Sequence, residues 1–138
     1  MGQIHTPTGV NITAAREMSA VYARGLASAV TAALKPVSEI AKLREGASPD
    51  EVLAAVAHLR QRQVEIDRWA DQLVGVAILG GVAPTTAAVV LQMRPATLRA
   101  RLRSTWAAAR GKPMQRDPKR KDGWGLVPAQ APIQGGAA

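Results

Sequence analysis

Arg94, Arg99, Arg101 and Arg103 crowd one short stretch, and a second basic run, Lys112-Pro113-Met114-Gln115-Arg116-Asp117-Pro118-Lys119-Arg120-Lys121, follows it. A guanidinium can chelate the O6 and N7 edge of guanine or pair with a phosphate, and lysine neutralises phosphate as a point charge. Residues 94 to 121 hold ten Lys or Arg against one acid, Asp117, whereas the rest of the chain has eight basic and nine acidic residues. The formal charge of +8 is therefore local, which is the footprint expected of a surface that binds a polyanion.

Other chemistries find no support. The absence of Cys excludes disulfides and thiolate-bound zinc, and the two histidines, His5 and His58, stand too far apart in sequence for a metal cluster. His58, between Ala57 and Leu59, reads as a partly exposed helix residue, and Glu39, Glu45, Asp50 and Glu51 read as helix-start and surface charge. Gly80-Gly81 lacks the strand context of a phosphate loop. The expectation is a non-enzymatic protein with no cofactor, no metal and no evident small-molecule ligand. The most apolar run, Leu73 to Val82, is interrupted by Gly75, Gly80 and Gly81, and residues 1 to 5 lack a signal-peptide pattern, so a cytoplasmic chain without a membrane span is expected.

The elements that must position these arginines follow from composition and punctuation. Hydrophobic residues make up 47% but aromatics 3%, with no Phe, so the apolar fraction is Ala, Val and Leu and favours an all-α helical bundle with a long central helix. Residues 1–10 read as a flexible arm and 11–47 as N-terminal helices for packing or dimerisation. In these, Ile12 to Leu34 is capped by Asn11 or Thr13 and interrupted at Pro36, and a short piece, Val37 to Arg44, closes at Gly46. Residues 48–111 hold the long helix and a helix pair. Ser48-Pro49-Asp50-Glu51 marks the long helix's start with a capping box, and Gly80-Gly81 stops it. Its seam reads as Val52, Val56, Leu59, Gln63, Ile66, Ala70, Leu73 and Ala77. A short helix from Pro84 to Leu91, a break around Gln92 to Pro95 and a helix over 96–110 follow. Residues 112–138, rich in Pro and Gly, read as a disordered basic tail in which Trp124 either folds back or stacks on a base, while Trp69 and Trp106 belong to the core.

The segment Thr85-Thr86-Ala87-Ala88-Val89-Val90-Leu91-Gln92-Met93-Arg94-Pro95-Ala96-Thr97-Leu98-Arg99-Ala100-Arg101-Leu102, within residues 84–104, resembles the helix-turn-helix of bacterial and phage regulators and of the promoter-reading region of sigma factors. That family places a small side chain where the helices cross, here Ala88, and apolar ones toward the core, here Leu91, Met93, Leu98 and Leu102. It usually has Gly in the turn, where this chain has Gln92. The resemblance implies that Arg94, Ala96, Thr97, Arg99, Ala100 and Arg103 look toward DNA, with Arg99 and Arg103 four apart on one helix face. Arg110, Lys112, Lys119, Arg120 and Lys121 extend the basic surface toward phosphates or a minor groove.

The function expected is sequence-specific binding of double-stranded DNA, in the manner of a phage or plasmid transcriptional repressor that reads the major groove with helix 96–110. The alternatives are a replication or partition accessory that also binds DNA, or a helical protein–protein interaction module. A homodimer through the N-terminal helices is expected too, one apolar stripe closing the intrachain hairpin and another the dimer, with polar Gln63 fixing register.

Overall fold

A computed structural model describes residues 5–128. In chain order it contains α1 (Gly9–Ala32), α2 (Leu34–Ala41), α3 (Pro49–Leu79), α4 (Pro84–Val90), α5 (Pro95–Arg101), a 3-10 turn (Trp106–Ala109), and strands β1 (Met114–Arg116) and β2 (Trp124–Leu126). The chain is mostly helical, as its composition implies, with a β-hairpin added. Among the described residues no helix is long and apolar enough to cross a membrane.

The arm is shorter than expected. Thr8, not Asn11 or Thr13, caps α1: its Oγ accepts from the Asn11 N–H at 3.0 Å, while Asn11 Oδ1 accepts from the Thr8 N–H at 2.9 Å. This is a capping box with Asn at the position usually held by Glu or Gln. Residues 1–4 of the expected arm lie outside the described residues. Pro36, expected to interrupt the first helix, sits buried in the first turn of α2, where its missing N–H leaves no bond unmade. The break falls just before it, at Ala33. Ser48 Oγ accepts from the Glu51 N–H at 3.1 Å to start α3, whose 31 residues span roughly 46 Å at about 1.5 Å each.

Helix α3 runs back along α1. Its inward row is Ala55, Leu59, Ile66, Trp69, Leu73 and Val76, steps of three, four and seven residues that keep one face. Leu59, Ile66 and Leu73 belong to the seam expected from sequence; the companion row does not. Val52 and Val56 are 41% and 48% exposed, and Gln63 and Ala77 are also exposed. The reason is steric: Gly25 on α1 leaves room for the Trp69 ring, which also meets Tyr22 at 5.9 Å between centroids. Seating that large ring between the helices puts Trp69 and its row, rather than Gln63 and Ala77, toward α1.

The main core gathers Ala14, Ala15 and Met18 of α1, Val76 and Leu79 of α3, and Trp106, Ala109, Met114 and Trp124 from the C-terminal segment. The expected disordered tail is thus folded over residues 112–128. Strands β1 and β2 pair antiparallel with Gln115 opposite Gly125, and Met114 and Trp124 are 7% and 5% exposed. Three tethers hold the hairpin to α1, one of them from the Tyr22 hydroxyl to Asp122 in its loop. Arg116 makes a bidentate pair with Glu17 at 2.8 and 2.9 Å, and Asn11 donates from Nδ2 to the Lys112 carbonyl while accepting from the Gly111 N–H. The rest of the expected tail, residues 129–138, lies outside the described residues.

Because Trp124 closes this core, Trp124→Ala is expected to cost about 3–5 kcal/mol in urea unfolding. Deletion of residues 112–138 is expected to lower the melting temperature by many degrees. An unchanged melting curve in either variant would contradict the docked hairpin.

Candidate nucleic-acid interface

Helices α4 and α5 are short, and local chemistry fixes the angle between them. Pro84 and Pro95 each occupy a first helical position, and each forces an extended residue before it, Ala83 and Arg94. Helix α4 closes when the Gln92 N–H donates to the Val89 carbonyl at 3.1 Å and the Met93 N–H to the Ala88 carbonyl at 2.9 Å. Gln92 takes φ +56°, the left-handed conformation that glycine adopts most readily. Its Cβ carries a steric penalty on the order of 1 kcal/mol there. Met93 then folds back onto a cluster of Ile78, Ala87, Ala88, Leu98 and Leu102.

Of the five apolar residues expected to face inward, Ala88, Leu98 and Leu102 are buried and Met93 is half-buried. Leu91 is not: it is the residue that ends α4 and is 42% exposed. Ala87 takes the inward place, because two turns of helix seat on Ile78 through adjacent alanines.

The expected helix 96–110 is also divided. It ends at Arg101, because the Thr105 hydroxyl donates to the Leu102 carbonyl at 2.7 Å and then accepts from the Ala107 N–H at 3.3 Å, starting the 3-10 turn. Thr105 lodges against Gly75 of α3, where any Cβ would collide with it. Arg103 therefore lies beyond α5 rather than one helical turn from Arg99 on a shared face.

Arg94, Ala96, Thr97, Arg99, Ala100 and Arg103 are all exposed. Arg101 instead pins α5 to α3 through Asp71, with contacts at 3.0 and 3.2 Å. Arg110 is a further correction. Its guanidinium donates to the carbonyls of His5 at 2.6 Å, Val82 at 2.7 Å and Ile78 at 3.2 Å, so it clamps the end of α3 to the segment before α1 and does not face outward. Lys112, Lys119 and Lys121 are exposed, the last two on the loop of the hairpin. Arg120 lies over the Trp106 ring, 5.2 Å from its centroid, and bonds to Asp122.

Asp122 is the residue that sequence reading missed. Its carboxylate accepts from Tyr22 OH at 2.8 Å, Trp106 Nε1 at 2.9 Å, Arg120 Nε at 3.2 Å and the Trp124 N–H at 3.3 Å. Burial pushes its pKa up, but the hydrogen bonds from Arg120, Tyr22, Trp106 and the Trp124 backbone outweigh that and hold it below the usual carboxylate range. Burial, and after it the bond to Asp122, raises the Tyr22 hydroxyl to about 12. The hub supports one wall of an open cleft of about 360 Å³ lined by Tyr22, Gln72, Ser104, Thr105, Trp106, Arg120 and Leu126. The lining brings together Ser104, next in sequence to Arg103, and Arg120 of the hairpin loop.

At the far end of α3, His58 Nδ1 meets Glu39 Oε2 at 2.9 Å, so His58 joins α3 to α2. Among the described residues no three His, Asp or Glu converge as a metal site. No protein family, curated protein or solved structure matches the chain.

The depressed Asp122 pKa sets a pH dependence. A carboxylate with a lower pKa in the folded state stabilises the fold above its unfolded pKa, and that contribution is lost as pH falls through the folded value. Asp122→Asn is expected to cost about 1–3 kcal/mol at neutral pH. The gap between wild type and variant should narrow as the pH drops below the usual carboxylate range. Urea unfolding over an acid pH series checks this; a gap that stays constant would remove Asp122's charge from the argument.

Proposed function

We propose that the chain is a DNA-binding protein whose α4–α5 pair acts as a helix-turn-helix, with α5 in the major groove and the hairpin loop on flanking phosphates. The observation that carries the reading is the division of labour among the ten basic residues of 94–121. Arg101, Arg110, Arg116 and Arg120 make internal contacts that fix the scaffold, while Arg94, Arg99, Arg103, Lys112, Lys119 and Lys121 are exposed and have no ion-pair partner among the described residues.

Exposed Thr97 beside small Ala96 and Ala100 lets a backbone approach base edges closely, and Arg99 supplies a bidentate donor for guanine. Arg103, beyond the helix end, suits phosphate better than a base. On this reading the protein is a non-enzymatic regulator of the repressor type, working in the cytoplasm where its DNA lies. Its α5 is two turns long and reads few base pairs, so two copies share one site.

Binding to duplex DNA, followed by fluorescence anisotropy across a salt series, tests the proposal. Six exposed cations set an upper limit near −5 on the slope of log K against log salt, at roughly 0.9 per phosphate neutralised. Arg99→Ala should cost about 1–3 kcal/mol on the preferred sequence and less on others. Arg103→Ala should weaken all sequences alike, and Arg60→Ala with Arg62→Ala should change little, since Arg62 is paired to Glu65. Absence of binding even at low salt would sink the proposal; equal losses at all four arginines would remove α5 from it.

A further inference from the structure

The half of the α1–α3 hairpin away from the arginines has its side chains in an unusual order. Between residues 26 and 60 the only buried residues are Ala29, Ala33, Pro36 and Ala55. The larger apolar residues lie outside: Val30 is 47% exposed, Leu34 64%, Val37 49%, Val52 41%, Leu53 67% and Val56 48%. A helix pair that buries alanine and exposes valine and leucine gains little from its own contact.

All of these except Leu53, which lies on the far side of α3 from Ala55, share one face. On α1 and α2 the row that meets α3 runs through Ala29, Ala33 and Pro36, and Val30, Leu34 and Val37 each follow it by one residue, about 100° further round. On α3 the inward row starts at Ala55, and Val56 follows it by one residue with Val52 a turn earlier. Two antiparallel helices are related by a local twofold normal to the pair, so the flank one residue onward from each inward row falls on the same side. Continuing along that side of α3 come exposed Gln63 and half-buried Ala70.

We infer that this face is an isologous interface with a second copy of the chain, two hairpins closing a four-helix bundle. Size and charge select that occupant. The five side chains leave on the order of 400 Å² of apolar strip, within the range that marks interaction sites on monomers. With Leu26 and Ala23 at the margins, two such strips come to about 1,000 Å², the least that a specific interface buries. From residue 30 to 60 the charges balance, Lys35, Lys42, Arg44 and Arg60 against Glu39, Glu45, Asp50 and Glu51. Two identical neutral surfaces meet without repulsion, whereas the strongly basic opposite end repels its own copy. Gln63, polar within an apolar strip, would set the register. The pairing deepens the DNA-binding proposal by naming how two copies join, yet it stands on the hairpin's own geometry.

The mass of the full chain, measured without DNA by light scattering over a dilution series, tests it independently of any DNA result. The expected wild-type mass is twice 14.5 kDa at high concentration, falling on dilution. Leu34→Glu with Val56→Glu, both at exposed positions, should give 14.5 kDa throughout with unchanged helix content by circular dichroism. Because the chain has no Cys, single-cysteine variants cross-linked with a short bismaleimide give a second measurement that does not depend on how the double variant folds. Gln63→Cys should yield a covalent dimer and Gln61→Cys, on the opposite side of α3, should not. A wild type that stays at the single-chain mass overturns the inference, as does a dimer that survives both glutamates or cross-links only through position 61.

Discussion

One buried carboxylate holds together the parts of this chain that its apolar residues could not. With no Phe, one Tyr and three Trp, the chain has few large side chains, and two of the tryptophans come late in sequence. Asp122 receives hydrogen bonds from α1 through Tyr22, from the 3-10 turn through Trp106 and from the hairpin through Arg120 and the Trp124 backbone. Each donor places an aromatic ring or a strand where the core needs volume. A lone buried charge would be costly; four donors turn that cost into a geometric specification. The rigid end of the molecule, on which α4 and α5 rest through Ile78 and Thr105, inherits its position from that hub.

Punctuation was legible in the sequence and long-range polar contacts were not. Ser48-Pro49, Gly80-Gly81, Pro84 and Pro95 act within a few residues, so the boundaries of α3, α4 and α5's start follow from local chemistry. The end of α5 does not, because its apolar period runs on to Trp106 while the Thr105 hydroxyl, seated at Gly75 thirty positions earlier, stops the helix. The hairpin was hidden for a similar reason. Three-residue strands between prolines carry no alternation to detect, and Asp122 meets a tyrosine one hundred residues away. The Thr8-x-x-Asn11 spacing was a readable capping signal, missed because Asn there replaces the usual Glu. The α3 seam was ambiguous in principle: two rows share Leu59, Ile66 and Leu73, and only the Gly25 notch for Trp69 chooses between them.

The candidate site was legible as charge and only partly as geometry. Arg94, Ala96, Thr97, Arg99 and Ala100 are exposed, while Leu98 among them is buried. Arginines 101 and 110 look identical to their neighbours in sequence, yet Asp71 and three backbone carbonyls engage them. Composition counts a guanidinium whether it faces solvent or clamps a helix end. The basic surface is accordingly smaller than the local charge suggests, and better fixed.

Asn11 has a kinetic consequence. By bonding Thr8, Gly111 and Lys112 at once, this fully buried amide joins the start of the first helix to the entry of the hairpin. Contacts across a hundred residues carry a large loop-closure entropy and form late. During synthesis α1 and α3 can pair as soon as both have emerged, but Met18, Val76 and Leu79 remain uncovered until Trp124 follows them out of the ribosome. The nascent chain therefore shows this apolar surface until residues 112–128 have followed, and that segment works as the latch that ends the exposure.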